Sequence, residues 1–465
     1  MFGPVDDLEP VGEDETEGHA VPRLTRAGAA IRGLAIDVTP LRESREFRLL
    51  QFGQLISLTG RQVTVVALPI QVYLLTRSSF AVGLISLVQI PPLAFFAIWG
   101  GTWADRFDRR KLILLTEFGL AATSVLLLLG AVHGRPPLWY LYLVVIAQTA
   151  FFAVNSPTRS AVVPTVVGSE RLPAAMALNQ VMYNVTQVVG PVVAGFVIAA
   201  PANTNTGLAI AYGIDVATFA GSIGMTLALP ALPPVRAAGE AVRSGWRAVR
   251  EGFSFLRGKR VLVSTFAIDL NAMIFGMPRA LFPALAVTVF HKGPAAVGLM
   301  SAAPAAGAVI GALTTGWVGS VRRQGLFVIW AVAAWGAAIT MFGLSGLGGG
   351  YFWIGLFFLA LAGAADVVSA VFRGTILQQS VPDSLRGRLS ATHILVVTGG
   401  PRLGDFESGA VAGLAALFLS TADATLFSAV TGGAFCLIGA GIVSMIYPEL
   451  ARYRRPEALS VTSGD

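Results

Sequence analysis

Ionisable side chains set in apolar sequence are the groups with which this chain could do chemistry. Arg61 lies near the middle of a long apolar stretch, and Asp269 opens the polar run IDLNAM, with Asn271 and Arg279 following it. PRLGDFESG brings Arg402, Asp405 and Glu407 within six residues, while Asp215 and Asp366 stand singly in two other apolar runs. A charge in hydrocarbon is expensive unless it is paired or lines a wet cavity, so each of these groups asks for a reason to be there. It either fixes two helices together as an ion pair or serves substrate binding and proton uptake. For Arg61 both roles stay open. In the 401–409 stretch, a helix broken around Gly399, Gly400 and Pro401 would let Arg402 neutralise Asp405 or Glu407. One of these acids could then take up a proton, since burial raises a carboxyl pKa and a neighbouring arginine lowers it.

Other chemistries find no residues. The single cysteine, Cys436, excludes a disulfide framework and a cysteine metal site, and the four histidines are scattered, without metal-ligand spacing. No Gly-x-x-x-x-Gly-Lys-Ser/Thr loop is present, which counts against an ATP-driven pump. The sequence therefore reads as a non-enzyme with no cofactor and no metal.

The elements that must carry these side chains are transmembrane helices. Of 465 residues 54% are hydrophobic and 13% charged, and the mean hydropathy is +0.70, which places the chain among polytopic membrane proteins. Hydropathy gives twelve spans, near 47–75, 80–103, 111–132, 138–157, 173–200, 207–229, 261–290, 294–318, 325–345, 351–376, 389–419 and 422–447. With residues at the span ends counted to the connections, lysine and arginine number eighteen in the even-numbered connections and three in the odd ones. That bias puts both termini in the cytoplasm of a cell whose cytoplasmic membrane the chain spans. The net charge of +7 is thus a topology signal and not a nucleic-acid patch.

Residues 1–45 form an acidic then basic cytoplasmic tail, expected to be disordered, in which Leu24 to Ile36 is a weak candidate for an amphipathic helix. Six spans follow in 46–229. A polar linker, 230–260, contains GWRAVREGFSFLRG, whose Trp246, Val249, Phe253 and Leu256 share one helical stripe, as an interfacial helix on membrane lipid would have. Six more spans occupy 261–447, and 448–465 is a C-terminal tail. The halves repeat: AVGLIS (81–86) returns as AVGLMS (296–301) at an offset of 215, and an offset of 214 carries Arg159 onto Arg373.

Between spans 2 and 3 runs GGTWADRFDRRK (100–111), with six charges in seven residues. The spacing of Gly101, Asp105, Arg106, Arg109 and Arg110 resembles the cytoplasmic signature loop of the major facilitator superfamily, with Asp108 where a second glycine is usual. In span 5, Gly190, Pro191, Ala194 and Gly195 resemble the superfamily's antiporter motif Gly-Pro-x-x-Gly-Gly, with Ala194 replacing one glycine. The resemblance extends from about residue 45 to about 450 and is greatest to the branch of the enterobactin exporter and of drug:proton antiporters. It implies an all-α fold of twelve helices in two parallel six-helix pseudo-repeat bundles around a central cavity. It also implies a monomer, and a conformational switch at the 101–110 loop in which Asp105 acts as a latch. Helices 3, 6, 9 and 12 are peripheral in this superfamily, which favours a fixed structural pair for Asp215. Span 7 lines the cavity, which favours function for Asp269.

The activity implied is proton-coupled export of a medium-sized amphipathic organic molecule, such as a siderophore or drug, by alternating access. Gln89, Gln148, Asn155, Tyr183, Asn184, Gln187 and Asn271 are the expected polar contacts of the substrate cavity, amid apolar side chains. The charge pairs and proton-coupling groups are sought among Arg61, Asp269, Arg279, Arg402, Asp405 and Glu407. Two other readings remain open at this point: a proton-coupled or facilitative importer, and a non-transporting sensor or scaffold on the same fold.

Overall fold

The computed structural model describes residues 37–233, 254, 258–380 and 383–455. The candidate amphipathic helix at Leu24 to Ile36, the interfacial stripe around Trp246 and the tail beyond 455 lie outside the described residues.

Among the described residues, ten helices are long and apolar enough to cross a bilayer. One of them, Leu138–Ala199, has 62 residues. At ~1.5 Å per residue it would measure about 93 Å if straight, three times a hydrocarbon core of ~30 Å. It turns at Gly168, whose φ of 73° and ψ of 170° only glycine adopts without strain. The two arms run in opposite directions along the first span. Arg159 donates to Leu50 O and Arg61 stacks on Phe152, so sequence numbers fall on one arm as they rise on the first span. Gln54 bonds Asn179 and Gly190 packs on Gln62, so on the other arm they rise together. Asp383–Ala415 has length enough to span but carries more charge. Counted so, the crossings are α1 Arg45–Thr76, α2 Ser79–Arg106, α3 Arg109–His133, α4 138–167, α5 169–199, α6 Thr204–Leu227, α7 Arg260–Val289, α8 Gly293–Leu313, α9 Gln324–Leu344, α10 Phe352–Ser380, α11 Asp383–Ala415 and α12 Thr421–Ile446.

Short polar residues start these helices. Ser44, Ser78, Asp108 and Ser420 accept from the backbone N–H of Phe47, Ala81, Lys111 and Asp423, each satisfying a donor that the first turn leaves open. The helices form two six-helix bundles, and the lipid side carries exposed apolar residues such as Leu115, Phe118, Trp330, Ile438 and Met445 on α3, α9 and α12.

Helix breakage is found in α7 and not in α11. Pro401 is accommodated inside a continuous α11. In α7 the α-helix ends at Phe275, and Gly276 and Pro278 lead into a 3-10 turn, Arg279–Leu281, and a π turn, Leu285–Val289. Pro278 cannot donate to the ladder, and beyond the helix end the Gly276 carbonyl accepts from Trp335 Nε1 at 2.9 Å. The break turns Arg279 out of register with the rest of α7.

Candidate functional site

Two buried charge clusters anchor the bundles at similar depth from the end that bears the 106–111 loop, the basic end. In the first, Glu117 of α3 is 1% exposed and accepts from Arg159 of α4, from Ser222, and from Thr226 Oγ1 at 2.9 Å, the last two on α6. Asn155 completes it, accepting from Arg159 Nε at 3.2 Å and donating to Thr116 at 2.7 Å. In the second bundle Arg373, the repeat partner of Arg159, pairs with Asp269 of α7 at 2.6 Å and reaches Asp366, earlier on its own helix α10, at 3.7 Å. Both arginines were counted as loop residues from sequence. They lie within helices, 4% and 7% exposed, and the charge bias of the connections survives their removal.

A cavity of about 230 Å³ opens beside the first cluster, walled by α1, α3, α4 and α5. Arg61 projects into it with its guanidinium carbon 3.5 Å from the centre of the Phe152 ring. Asn155, Asn179 and Tyr183 line it, together with Gln54 and Gln180. Among the described residues Asp215 makes no ion pair: the hydrogen bonds to its carboxylate come from hydroxyls, Thr64 at 2.6 Å and Ser124 at 2.8 Å. The fixed charge pair foreseen for it is thus a hydroxyl cradle, because the threonine and serine of α1 and α3 reach it and Arg61 turns to Phe152.

The two bundles meet at the end opposite the basic loop, along two seams. A methyl group built on Gly83 of α2 would lie 3.2 Å from Gly409 Cα of α11, and one on Gly298 of α8 would lie 2.8 Å from Gly195 Cα of α5. The seams are related by the internal repeat. Offset 215 carries Gly83 onto Gly298, and offset 214 carries GPVVAG (190–195) onto GDFESG (404–409), so Gly195 answers Gly409 and Asp405 stands where Pro191 does. Asp405 pairs with Arg279 at 3.2 Å and accepts from Ser86 of α2 at 3.0 Å, joining α7, α11 and the opposite bundle at one carboxylate. Arg402, which sequence set against Asp405 or Glu407, instead donates to Gln89 Oε1 at 3.4 Å and to its own helix at Thr398 O, 2.5 Å. The reason is the α7 break, which delivers Arg279 to Asp405 first. Glu407, two residues on, makes no hydrogen bond or ion pair among the described residues.

Toward the basic end the bundles part. From the Gly195 crossing, α5 and α8 diverge around an apolar groove of about 420 Å³ lined by Asn184, Val185, Val189 and Ile310 among others. Gly101 has nothing within 4 Å of a built methyl group, and Asp105 and Arg106 are exposed. The neighbours in the loop hold the first bundle together. Arg109 donates to Ala104 O, Ala161 O and Thr165, and Arg110 to Thr226 O and to Leu227 O at 2.7 Å, closing the end of α6.

The remaining predicted residues scatter. Asn271 faces α12, donating to Cys436 O at 2.9 Å, because it lies two residues, and so about 200° of helix, from Asp269. Gln148 has a buried Nε2 without a hydrogen-bond partner, and Gln187 is half-buried on α5. Sequence reading missed the Glu117–Arg159 pair; its signal was the Arg159–Arg373 offset, read as topology.

Residues 35–446 match the family described as transmembrane secretion effector. The chain belongs to this family of the major facilitator superfamily. An enterobactin exporter, EntS, of Citrobacter koseri is 28% identical over 428 residues, covering 90% of this chain and 96% of the relative. EntS of Escherichia coli O1:K1 is 28% identical over 431 residues, covering 92% and 98%. In fold the chain resembles the nucleoside transporter NupG, with a TM-score of 0.68 at 12% identity, covering 87% of this chain and 99% of that one. It also resembles a bacterial homologue of the iron transporter ferroportin, with a TM-score of 0.65 at 15% identity, covering 88% and 98%. A transmembrane secretion effector of this superfamily is a multi-pass membrane transporter of a small molecule, not an enzyme. The geometry suits that work: two bundles closed on each other at one end and parted at the other, with a polar cavity in the interior.

Proposed function

We propose that the chain is a proton-coupled exporter that carries a medium-sized amphipathic organic molecule out across the cytoplasmic membrane by alternating access. The observation that carries this reading is the pair of repeat-related glycine seams, which close one end of the molecule and leave the other parted. The basic connections support a cytoplasmic position for the parted end and both termini, so that cargo would enter the cavity from inside the cell. The bundles at 46–229 and 261–447 then rock about the site as a monomer, the cytoplasmic end closing as the seams separate. The names of the EntS relatives and the Gly190–Gly195 motif at the α5–α8 seam support export.

The coupling protons are assigned to Asp269, Asp405 and Glu407. Asp405 is placed to link a proton to the seam. Protonated, it would release Arg279 and weaken its hold on Ser86, so that proton binding from outside favours one access state and cargo from inside the other. Inside-out vesicles under an imposed pH gradient test the direction. Accumulation of an added amphipathic substrate that falls when the gradient is collapsed supports export. Loss of preloaded substrate from such vesicles with proton co-movement establishes import and overturns the assignment.

A further inference from the structure

Among the described residues, two arginines in the membrane interior make no ion pair. Arg61 makes no hydrogen bond and no ion pair among the described residues; its one close partner is the face of Phe152. The nearby carboxylates are taken. Glu117, on the same cavity wall, is held by Arg159, Ser222 and Thr226, and Asp215 by Thr64 and Ser124. Arg402 has only Gln89 and the Thr398 carbonyl. It lies close enough to Arg61, Arg279, Asp405 and Tyr183 to feel the charge of each. Asp405 is already engaged by Arg279 and Ser86. Tyr183 of α5 lines the cavity with Arg61 and lies within electrostatic range of both guanidiniums. The centre of the molecule thus presents two arginines, one from each bundle, that make no ion pair among the described residues, with a phenol in electrostatic range of both. Guanidinium remains charged under any physiological condition and offers forked donors that match an oxyanion.

We propose that the cargo is an amphipathic organic anion: an oxyanion such as a carboxylate, received between Arg61 and Arg402, on an apolar or aromatic body that rests on Phe152, Tyr183 and the apolar α5–α8 groove. This deepens the transport reading and rests on it. Because the cations come from opposite bundles, a bound anion would be held by both halves at once, and a neutral analogue of the same shape would leave both arginines uncompensated.

The test uses the full chain purified in detergent and two fluorescent probes of one shape, dansyl-leucine and dansyl-leucinamide, with cationic dansylcadaverine as a third. The carboxylate is expected to bind at least about tenfold tighter than the amide, the effect of one charge-assisted contact. Arg61→Gln and Arg402→Gln should each cut that preference about tenfold, by weakening carboxylate binding relative to amide binding, and Arg61→Lys should keep part of it. Equal binding of the two probes, preference for dansylcadaverine, no saturable binding of the carboxylate, or a preference that survives both substitutions overturns the proposal. The wild-type comparison stands even if a variant fails to fold. In proteoliposomes, selective binding of dansyl-leucine without movement would keep the anion site and refute transport. Movement of dansylcadaverine without carboxylate preference would keep transport and refute the anion site.

Discussion

Replacing Glu117 with glutamine removes one charge from a cluster whose geometry sets the cost. Arg159 and Glu117 have side chains 5% and 1% exposed, and among the described residues no second carboxylate lies within ion-pair distance of Arg159. Glu117→Gln therefore strands a guanidinium in the bundle interior, and Ser222 and Thr226 lose a charged acceptor. Breaking such a pair from one side costs about 3–5 kcal/mol. For a bundle of this size, at about 2–4 °C per kcal/mol, the melting temperature should fall by about 6–20 °C. The second cluster supplies the internal control. Asp269→Asn leaves Arg373 with Asp366 at 3.7 Å, a carboxylate 35% exposed, so the loss there should be smaller, about 1–3 kcal/mol. The double variant Glu117→Gln/Arg159→Gln, which removes both charges, should be more stable than either single one. Thermal unfolding of the purified chain in detergent, followed by tryptophan fluorescence, reads all four. A double variant as unstable as the sum of its singles, or an Asp269→Asn loss equal to that of Glu117→Gln, would refute the account.

Three further outcomes follow from the same contacts. Asp105 is exposed and unpartnered among the described residues, so Asp105→Asn should leave the stability within about 0.5 kcal/mol of wild type yet impair transport in vesicles if the carboxylate latches the other access state; normal transport removes the latch. Gly298→Val puts branched carbon where a single methyl already lies 2.8 Å from Gly195 Cα. Substrate movement in proteoliposomes should fall at least about tenfold, as overpacking by about 1–3 kcal/mol opens the seam, and full activity would show that the crossing is not needed. Trp335→Phe deletes the bond to Gly276 O and should cost about 1 kcal/mol in the same unfolding assay; no loss would mean that water replaces the indole.

How much of this was legible in the sequence depends on the range of the signal. Spans, repeat and loop signature are carried by composition and spacing, and they led to the right architecture. Partner choice was not legible, since it turns on helix rotation: two residues separate Asp269 from Asn271, yet one meets Arg373 and the other the backbone of α12. The break was placed in span 11 because GGPR looks disruptive, whereas α7 breaks at Gly276–Pro278, where Trp335 caps the Gly276 carbonyl. Glu117 looked solitary because its arginine is 42 residues away in sequence. Asn155 and Tyr183 stood out in the sequence as an amide and a phenol in consecutive apolar spans, and both line the cavity beside Glu117.

The exchange of Pro191 for Asp405 between the repeats makes the two seams unlike in what water does to them. At α5–α8 the contact is backbone on backbone, and parting it wets surface that gains little from hydration. At α2–α11 the same glycine contact is flanked by the carboxylate shared by Arg279 and Ser86, and parting it lets solvent reach a charge pair that hydrates readily. The two flanks should therefore respond oppositely to added salt, the first tightening under ions that strengthen apolar contact and the second loosening as its pair is screened. A duplicated hinge has in this way become a differential one, in which ionic conditions bias the side on which the molecule first gives.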